Sequence, residues 1–337
     1  MFVVPVADRA APSGGDTYDH RMAQHLPARP VSVAGDWPEP DPAARARLGR
    51  VLAAVPAGSV VLLDGLVACG VPDVLAPHAR RLRLVVLVHL PLADETGLAP
   101  RQAAVLDKRE RETLRLADRI VVTSPAAADD LRARHDLAAG SVYVVPPGVD
   151  SARPAAGTDG VSRLLCVAAV IPRKGQDVLL SALSEVDGLT VDLVGSLTRA
   201  PAYVERLRGT AGPGNRIRFT GPRTGPGLDA AYERADLLVL PSRAETYGMV
   251  VTEALARGIP VLASDVGGVA GALGHAPGGE VPGLLVPPGD VAELAGALRR
   301  WTKQPGLRNR LRTAARTRAG TLEGWPAAAA RLGRALP

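Results

Sequence analysis

Three lysines among 40 basic residues, two cysteines and ten aromatic side chains are the scarcities of this 337-residue chain. Cys69 and Cys166 stand far apart, each in an apolar run, so burial is favoured over redox work or metal binding. A reducing compartment fits such usage, and the expected location is cytoplasmic. Ten aromatics are too few for the stacking platforms of a single-strand binder, which disfavours nucleic acid as a partner. No apolar run approaches the roughly 18 residues a membrane-spanning helix requires. The start, MFVVPVADRA, lacks a basic region ahead of a long apolar core and reads as a first strand, not a signal peptide.

What is present is a globular composition, 47% hydrophobic and 22% charged, long enough for two domains with cores of their own. Glycine (36) and proline (30) fall between apolar runs as turn markers. Charge is uneven: residues 1–150 carry 17 basic and 18 acidic side chains, residues 151–337 carry 23 and 16. The second half alone is basic and suits an anionic partner. Eight of its basic residues lie between Arg299 and Arg318, on what read as solvent-facing helices. They serve solubility in the plainer reading and peripheral contact with acidic lipid in the other.

The stretch Pro241–Gly268 organises the rest. An apolar run, Leu237–Leu240, ends at Pro241; Val250, Val251, Ala254 and Leu255 then fall on one helical stripe; Gly258 and Pro260 close the helix; and Val261–Ala263 resumes as a strand. Strand, helix, strand is the unit of a parallel sheet, whose ligands sit beyond the carboxyl ends of the strands, near helix N-termini. Glu245 precedes this helix and Glu253 lies in its second turn, placed to accept from sugar and ribose hydroxyls, while the N–H groups near Gly248 and Met249 face an anion. The helix dipole alone would also favour a glutamate there.

Strand candidates in the first half are Phe2–Val6, Val31–Ala34, Val60–Leu63, Leu82–His89, Ile120–Thr123 and Val142–Val145. Helical patterns between them cover Tyr18–Leu26, Pro42–Val55, Val71–Arg80, Pro100–Ala117 and Pro125–His135, the rhythm of a doubly wound sheet. After the first strand, PSGGDTYD offers paired glycines, Gly14 and Gly15, for close backbone approach or simply a turn, with Asp16 or Thr17 as a cap. His89 ends the fourth strand, with Asp94 and Glu95 just beyond it. Near Asp150 a run of Pro, Gly and small residues marks a linker. In the second half, Arg173 and Lys174 follow the strand Leu164–Val170 at a helix start, a place for a diphosphate clamp or for a solvated turn. GLLVPPGD, from Gly283, reads as structural turns, and Leu322–Leu336 as a closing helix.

Glu245, Glu253, Gly258 and Pro260, with the PPGVD hinge, the Arg173–Lys174 pair and Asp265–Gly268, resemble the signature of the family 4 retaining glycosyltransferases. The resemblance covers most of the second half and scattered points of the first. It implies the GT-B architecture, two Rossmann-like doubly wound domains facing across a cleft. Residues 1–150 would bind acceptor, residues 151–321 nucleotide sugar, and the C-terminal helix 322–337 would return to the first domain. It implies a catalytic set of His89, facing the donor sugar, Arg173, Lys174 and Glu245. Donor contacts would come from Gly14, Gly15, Thr220, Gly221, Arg223, Tyr247, Gly248, Met249 and Glu253.

The family often has an arginine five or six residues before the lysine, where this chain has Ala168 and Ala169. Without an Asp-x-Asp, the metal-diphosphate anchor of the other large transferase fold, no metal is expected, and no cofactor beyond the nucleotide-sugar co-substrate. UDP is favoured and GDP is the alternative; the acceptor, a small molecule or lipid head group, is not encoded. The rival readings are a sugar-nucleotide epimerase or hydrolase on the same fold and a non-catalytic nucleotide-sugar-binding partner.

Overall fold

The computed structural model describes residues 1–210 and 216–337. The chain divides into two units, Met1–Gly148 with Trp325–Pro337, and Val149–Gly324. The first carries strands β1 (Phe2–Pro5), β2 (Pro30–Val33), β3 (Val60–Asp64), β4 (Arg83–Val88), β5 (Arg119–Val122) and β6 (Val142–Val144). The second carries β7 (Arg163–Val167), β8 (Thr190–Val194), β9 (Ile217–Gly221), β10 (Leu237–Leu240), β11 (Val261–Ser264) and β12 (Gly283–Val286). Their orders are β2-β1-β3-β4-β5-β6 and β12-β11-β10-β7-β8-β9, and every pairing is parallel. Strands buried on both faces by crossover helices read as unbroken apolar runs, which is why LVVLV, LLCV and LLVL were visible in the sequence. Strand order reverses between β1 and β3 in one sheet and between β7 and β10 in the other, the two places where a doubly wound sheet opens a crevice at its carboxyl edge.

Several local expectations change. The first helix is Gly14–His25, longer than expected, because Ser13 caps it: the Ser13 hydroxyl accepts the Asp16 N–H at 3.0 Å and Asp16 accepts the Ser13 N–H at 2.8 Å. Asp16 is thus the third helical residue, and neither it nor Thr17 is the cap. The single helix expected over Val71–Arg80 is replaced by short helices Gly65–Ala68 and Pro72–Leu75 and a turn at Ala76–His78. Pro72 opens one of these and Pro77 interrupts the pattern, since neither supplies an N–H. Residues Gly283–Val286 are the edge strand β12, not a turn. Flanking prolines, Pro282 and Pro287, hid a strand of only four residues.

The basic cluster sits on helices Val291–Lys303 and Pro305–Ala319. Not all of it faces solvent as expected. Arg308 donates to the carbonyls of Trp301 and Thr302 at 2.6 and 2.9 Å, Arg318 to that of Leu273 at 3.4 Å, and Arg312 to that of Gly160. These side chains complete helix ends and loops as donors. The helix Trp325–Ala335 belongs to the first unit, where Trp325 meets Tyr18 edge-on at 5.9 Å and Arg119 holds the carbonyls of Ala335 and Leu336.

Candidate functional site

In the second unit the loops after β7 and β10 flank the reversal point and interlock. Gly175, left-handed at φ 66°, packs so tightly that a Cβ there would lie 2.0 Å from the Pro241 carbonyl oxygen. The Arg243 N–H donates to the Arg173 carbonyl at 2.8 Å, and the Arg243 guanidinium grips Asp177 at 2.8 and 2.7 Å. Arg243 and the Tyr203 hydroxyl hold the Asp177 carboxyl at about 2 against the opposing effect of burial.

This frame brings Lys174 and Glu245 together. Nζ lies 2.5 Å from Oε1, the Ser242 hydroxyl donates to the same oxygen at 2.8 Å, and Oε2 has no hydrogen bond among the described residues. The side chains are only 17% and 8% exposed. Burial pushes the Glu245 carboxyl up, but Lys174, Ser242 and the nearby Arg173 outweigh it, so the carboxyl sits below its usual range. Arg173 donates to the Ala244 carbonyl at 3.3 Å, placing both cations of the turn beside this one carboxylate.

The loop after β11 closes on the same residue. Gly267, at φ 49°, leaves room that a Cβ would take from the Glu245 carbonyl oxygen, 1.7 Å away, and the Gly268 N–H donates to that oxygen at 3.3 Å. Gly248 caps the helix Met249–Ala256. Glu253 accepts from the buried Tyr232 hydroxyl at 2.7 Å, and Tyr247 packs half-buried against the apolar core beneath. Thr220 donates to the Leu193 carbonyl at 3.2 Å, Gly221 ends β9, and Arg223 is exposed. No hydrogen bond or ion pair among the described residues ties these three to the Lys174–Glu245 pair.

The first unit brings Gly15 and His89 together at the carboxyl edge of its sheet. A Cβ on Gly15 would lie 3.0 Å from His89 Cδ2. His89 Nε2 is 2.9 Å from Asp19 Oδ1 and 3.7 Å from Asp64 Oδ2. Burial raises the Asp19 carboxyl to about 7 and the Asp64 carboxyl well above its ordinary value, and burial depresses the imidazole despite the pull of Asp64 and Asp16. The ligand atoms of the three lie within 4.8 Å of one another, close enough to hold a metal ion. Asp94 is gripped through both oxygens by Arg134 at 2.9 and 3.0 Å.

Sequence reading missed Ser242, Tyr232, Arg243, Asp19 and Asp64. Ser242, three residues before Glu245 at a strand end, was the one with a local signal. Cys69 and Cys166 are buried, and desolvation raises both thiols, Cys166 to about 12.

Two family models match: one described as glycosyl transferases group 1 over residues 152–318, and one as glycosyltransferase family 4 over residues 8–153. The chain is similar to the D-inositol 3-phosphate glycosyltransferase of Actinosynnema mirum, 34% identical over 265 residues that cover 72% of this chain and 61% of that one. It is also similar to D-inositol 3-phosphate glycosyltransferase 1 of Catenulispora acidiphila, 32% identical over 78% of this chain and 66% of that one. The chain thus spans about three-fifths to two-thirds of the length of these relatives. Among solved structures, sucrose-phosphate synthase of Thermosynechococcus elongatus has a TM-score of 0.78 at 22% identity, covering 99% of this chain and 97% of that one. Anabaena HepE, in complex with UDP and glucose, has 0.76 at 18% identity, covering 99% and 98%. Both share the architecture of two Rossmann-like domains.

Proposed function

The chain belongs to glycosyltransferase family 4, and from that premise we propose that its second unit holds a nucleoside-diphosphate sugar whose sugar passes to an acceptor hydroxyl with retention at the anomeric carbon. The observation that carries this reading is the Lys174–Glu245 pair at the reversal point of the second sheet. A partly buried ammonium and an adjacent guanidinium suit a leaving diphosphate, and the helix starting at Met249 offers its N–H groups to the same anion. Glu245 keeps Oε2 for sugar hydroxyls, and Glu253 serves the ribose. As the glycosidic bond to the diphosphate breaks, the new bond forms to the acceptor oxygen, and its proton goes to a leaving phosphate oxygen. Transfer proceeds without metal because Arg173 and Lys174 supply the compensating charge. UDP is favoured over GDP. His89, in the first unit, serves a substrate hydroxyl. The relatives' names make D-inositol 3-phosphate the first acceptor to try.

Thermal shift against UDP, GDP and their sugars should select a uridine ligand, since a ligand bound only to the folded form raises the melting point. The best donor is then incubated alone and with inositol phosphate. Turnover only with acceptor, abolished by Glu245→Ala and indifferent to a chelator, is the expected result. Release of free sugar or epimer from donor alone would favour a hydrolase or epimerase, and binding without any turnover would favour a non-catalytic partner.

A further inference from the structure

Asp19 and Asp64 have no part in the transfer as just described, yet the fold buries both against His89. Asp64 closes β3, Asp19 lies in the second turn of the helix Gly14–His25, and His89 follows β4, so all three meet beside the β1/β3 reversal point. At 4% and 3% exposure, Asp19 and Asp64 are too deep to touch a substrate, whereas the His89 side chain keeps 17%. The imidazole is fixed on several sides. The Tyr18 ring meets it edge-on at 5.1 Å, Gly15 leaves space over Cδ2, and Asp19 Oδ1 takes Nε2 at 2.9 Å. Nδ1 has no hydrogen bond among the described residues.

The bonding requirements then bear on the ring's proton. An ionised Asp19 accepts and cannot donate, so Nε2 then carries the hydrogen at 2.9 Å from Oδ1, and a neutral ring with its proton on Nε2 has a bare lone pair on Nδ1. Asp64 Oδ1 is fixed by the Leu66 N–H at 2.5 Å and its other oxygen lies 3.7 Å from Nε2, beyond hydrogen-bond distance, so Asp19 is the ring's partner. The other charges nearby are Asp16 on the same helix and, from the helix Trp325–Ala335, Arg331.

We propose that Asp19, as a carboxylate, is a positioning residue that locks His89 as its Nε2–H tautomer, so that Nδ1 presents a lone pair to a substrate hydroxyl. The hydroxyl rests on the transferase reading above; the tautomer does not. Gly15 is part of the device, because a Cβ there would lie 3.0 Å from Cδ2 and press on the ring.

The test begins with nuclear magnetic resonance of the full chain carrying isotope-labelled histidine, with His89 assigned by a His89→Gln difference spectrum. At neutral pH the expected signature is a far-downfield, solvent-protected Nε2–H and an unprotonated Nδ1, the downfield signal vanishing in Asp19→Ala. Should that variant fail to fold, Asp19→Asn keeps the volume and weakens the acceptor, moving the signal upfield. A proton on Nδ1, a doubly protonated ring at neutral pH, or a signal indifferent to both substitutions overturns the proposal. So does a shift of the ring resonances on stoichiometric zinc or manganese, which would make the three residues a cation site.

Kinetics supply the second arm once a donor is in hand. Asp19→Ala should lower kcat roughly tenfold to a hundredfold with donor KM nearly unchanged, and the double variant with His89→Ala should be no worse than His89→Ala alone. Additive losses would place Asp19 outside the histidine's action. If the chain transfers no sugar at all, the spectroscopic arm still decides the tautomer.

Discussion

Replacing Lys174 by Met tests the pair on which the donor site is built. The substitution keeps much of the stem and removes the ammonium that lies 2.5 Å from Glu245 Oε1, leaving a carboxylate 8% exposed with Ser242 as its remaining hydrogen-bond partner. Breaking a fully buried ion pair from one side costs about 3–5 kcal/mol. Lys174 retains 17% exposure, so the lower figure, about 3 kcal/mol, applies. The pH dependence carries the diagnosis. In the wild type the Glu245 carboxyl is held below its ordinary 4.5, so its stabilisation is present above that value and is lost as pH falls through the folded-state pKa. In the variant, burial is no longer outweighed and the carboxyl rises, so stability is lost in the opposite direction, as pH increases through the new value. The deficit against wild type is therefore largest near pH 7–8 and shrinks below roughly pH 4.5. Trp301, fully buried in the second unit, reports that unit's urea midpoint once Trp37 and Trp325 are changed to Phe. Adding Glu245→Gln to the variant should restore most of the loss. A deficit that is constant across pH, or no recovery in the double variant, refutes the argument that an unpaired buried carboxylate is the cause.

Gly175→Ala should lower the second unit's melting point and weaken nucleotide binding together, since its Cβ would strike the Pro241 carbonyl oxygen at 2.0 Å; thermal melts with and without UDP read both, and an unperturbed melt would deny that the two loops interlock. Tyr232→Phe removes the hydroxyl that holds Glu253 at 2.7 Å and should raise the donor KM severalfold with little change in kcat; a pure kcat effect would count against a ribose role for Glu253. Asp19, with its carboxyl raised to about 7 from 3.8, contributes stability that is complete below about pH 4 and is lost as pH rises through 7. The rise from 3.8 to about 7 corresponds to at most about 4 kcal/mol. Urea midpoints across pH 4–8 should therefore show Asp19→Asn gaining on wild type toward high pH, and a flat difference would contradict the burial argument.

The parts of the fold that were legible are those where one local pattern suffices. Apolar runs such as Leu237–Leu240 can only be doubly buried strands in an alternating chain, and Gly258 with Pro260 leaves the preceding helix no continuation. The helix Pro125–His135 was likewise bounded by a proline at its start and ended on the expected residue. What failed was where two local signals compete. Ser13 took the cap from Asp16 because a capping box needs both residues, and the strand Gly283–Val286 was masked by prolines that read as turns. At the candidate site, Glu245 and Lys174 stood out through string and rarity, whereas Asp19 and Asp64 are short acidic residues beside unremarkable apolar runs. Only the strand order, which puts β1 next to β3, brings them onto one histidine.

The alanines at 168 and 169 raise the one question that local pattern and geometry answer differently, because the site lacks a cation there and yet two cations reach Glu245 from the following turn. Arg173 is tied to the Ala244 carbonyl at 3.3 Å and lowers the Glu245 carboxyl alongside Lys174, so it is the second cation available to a diphosphate bound beside Lys174. Ala169 remains close by, its carbonyl accepting from Gln176 at 2.9 Å, and Ala168 backs directly onto Gly195. If Arg173 substitutes for the absent arginine, Arg173→Ala should weaken UDP binding by about tenfold, roughly the 1.4 kcal/mol of one charge-assisted contact. Adding Ala169→Arg to that variant should then recover most of the affinity, since residue 169 lies just past the end of β7, at the same edge of the sheet. Calorimetric titration of UDP into the single and double variants decides the matter. An Arg173→Ala protein that binds as wild type, or an Ala169→Arg gain that is the same with and without Arg173, would mean that the two positions do not serve one anion.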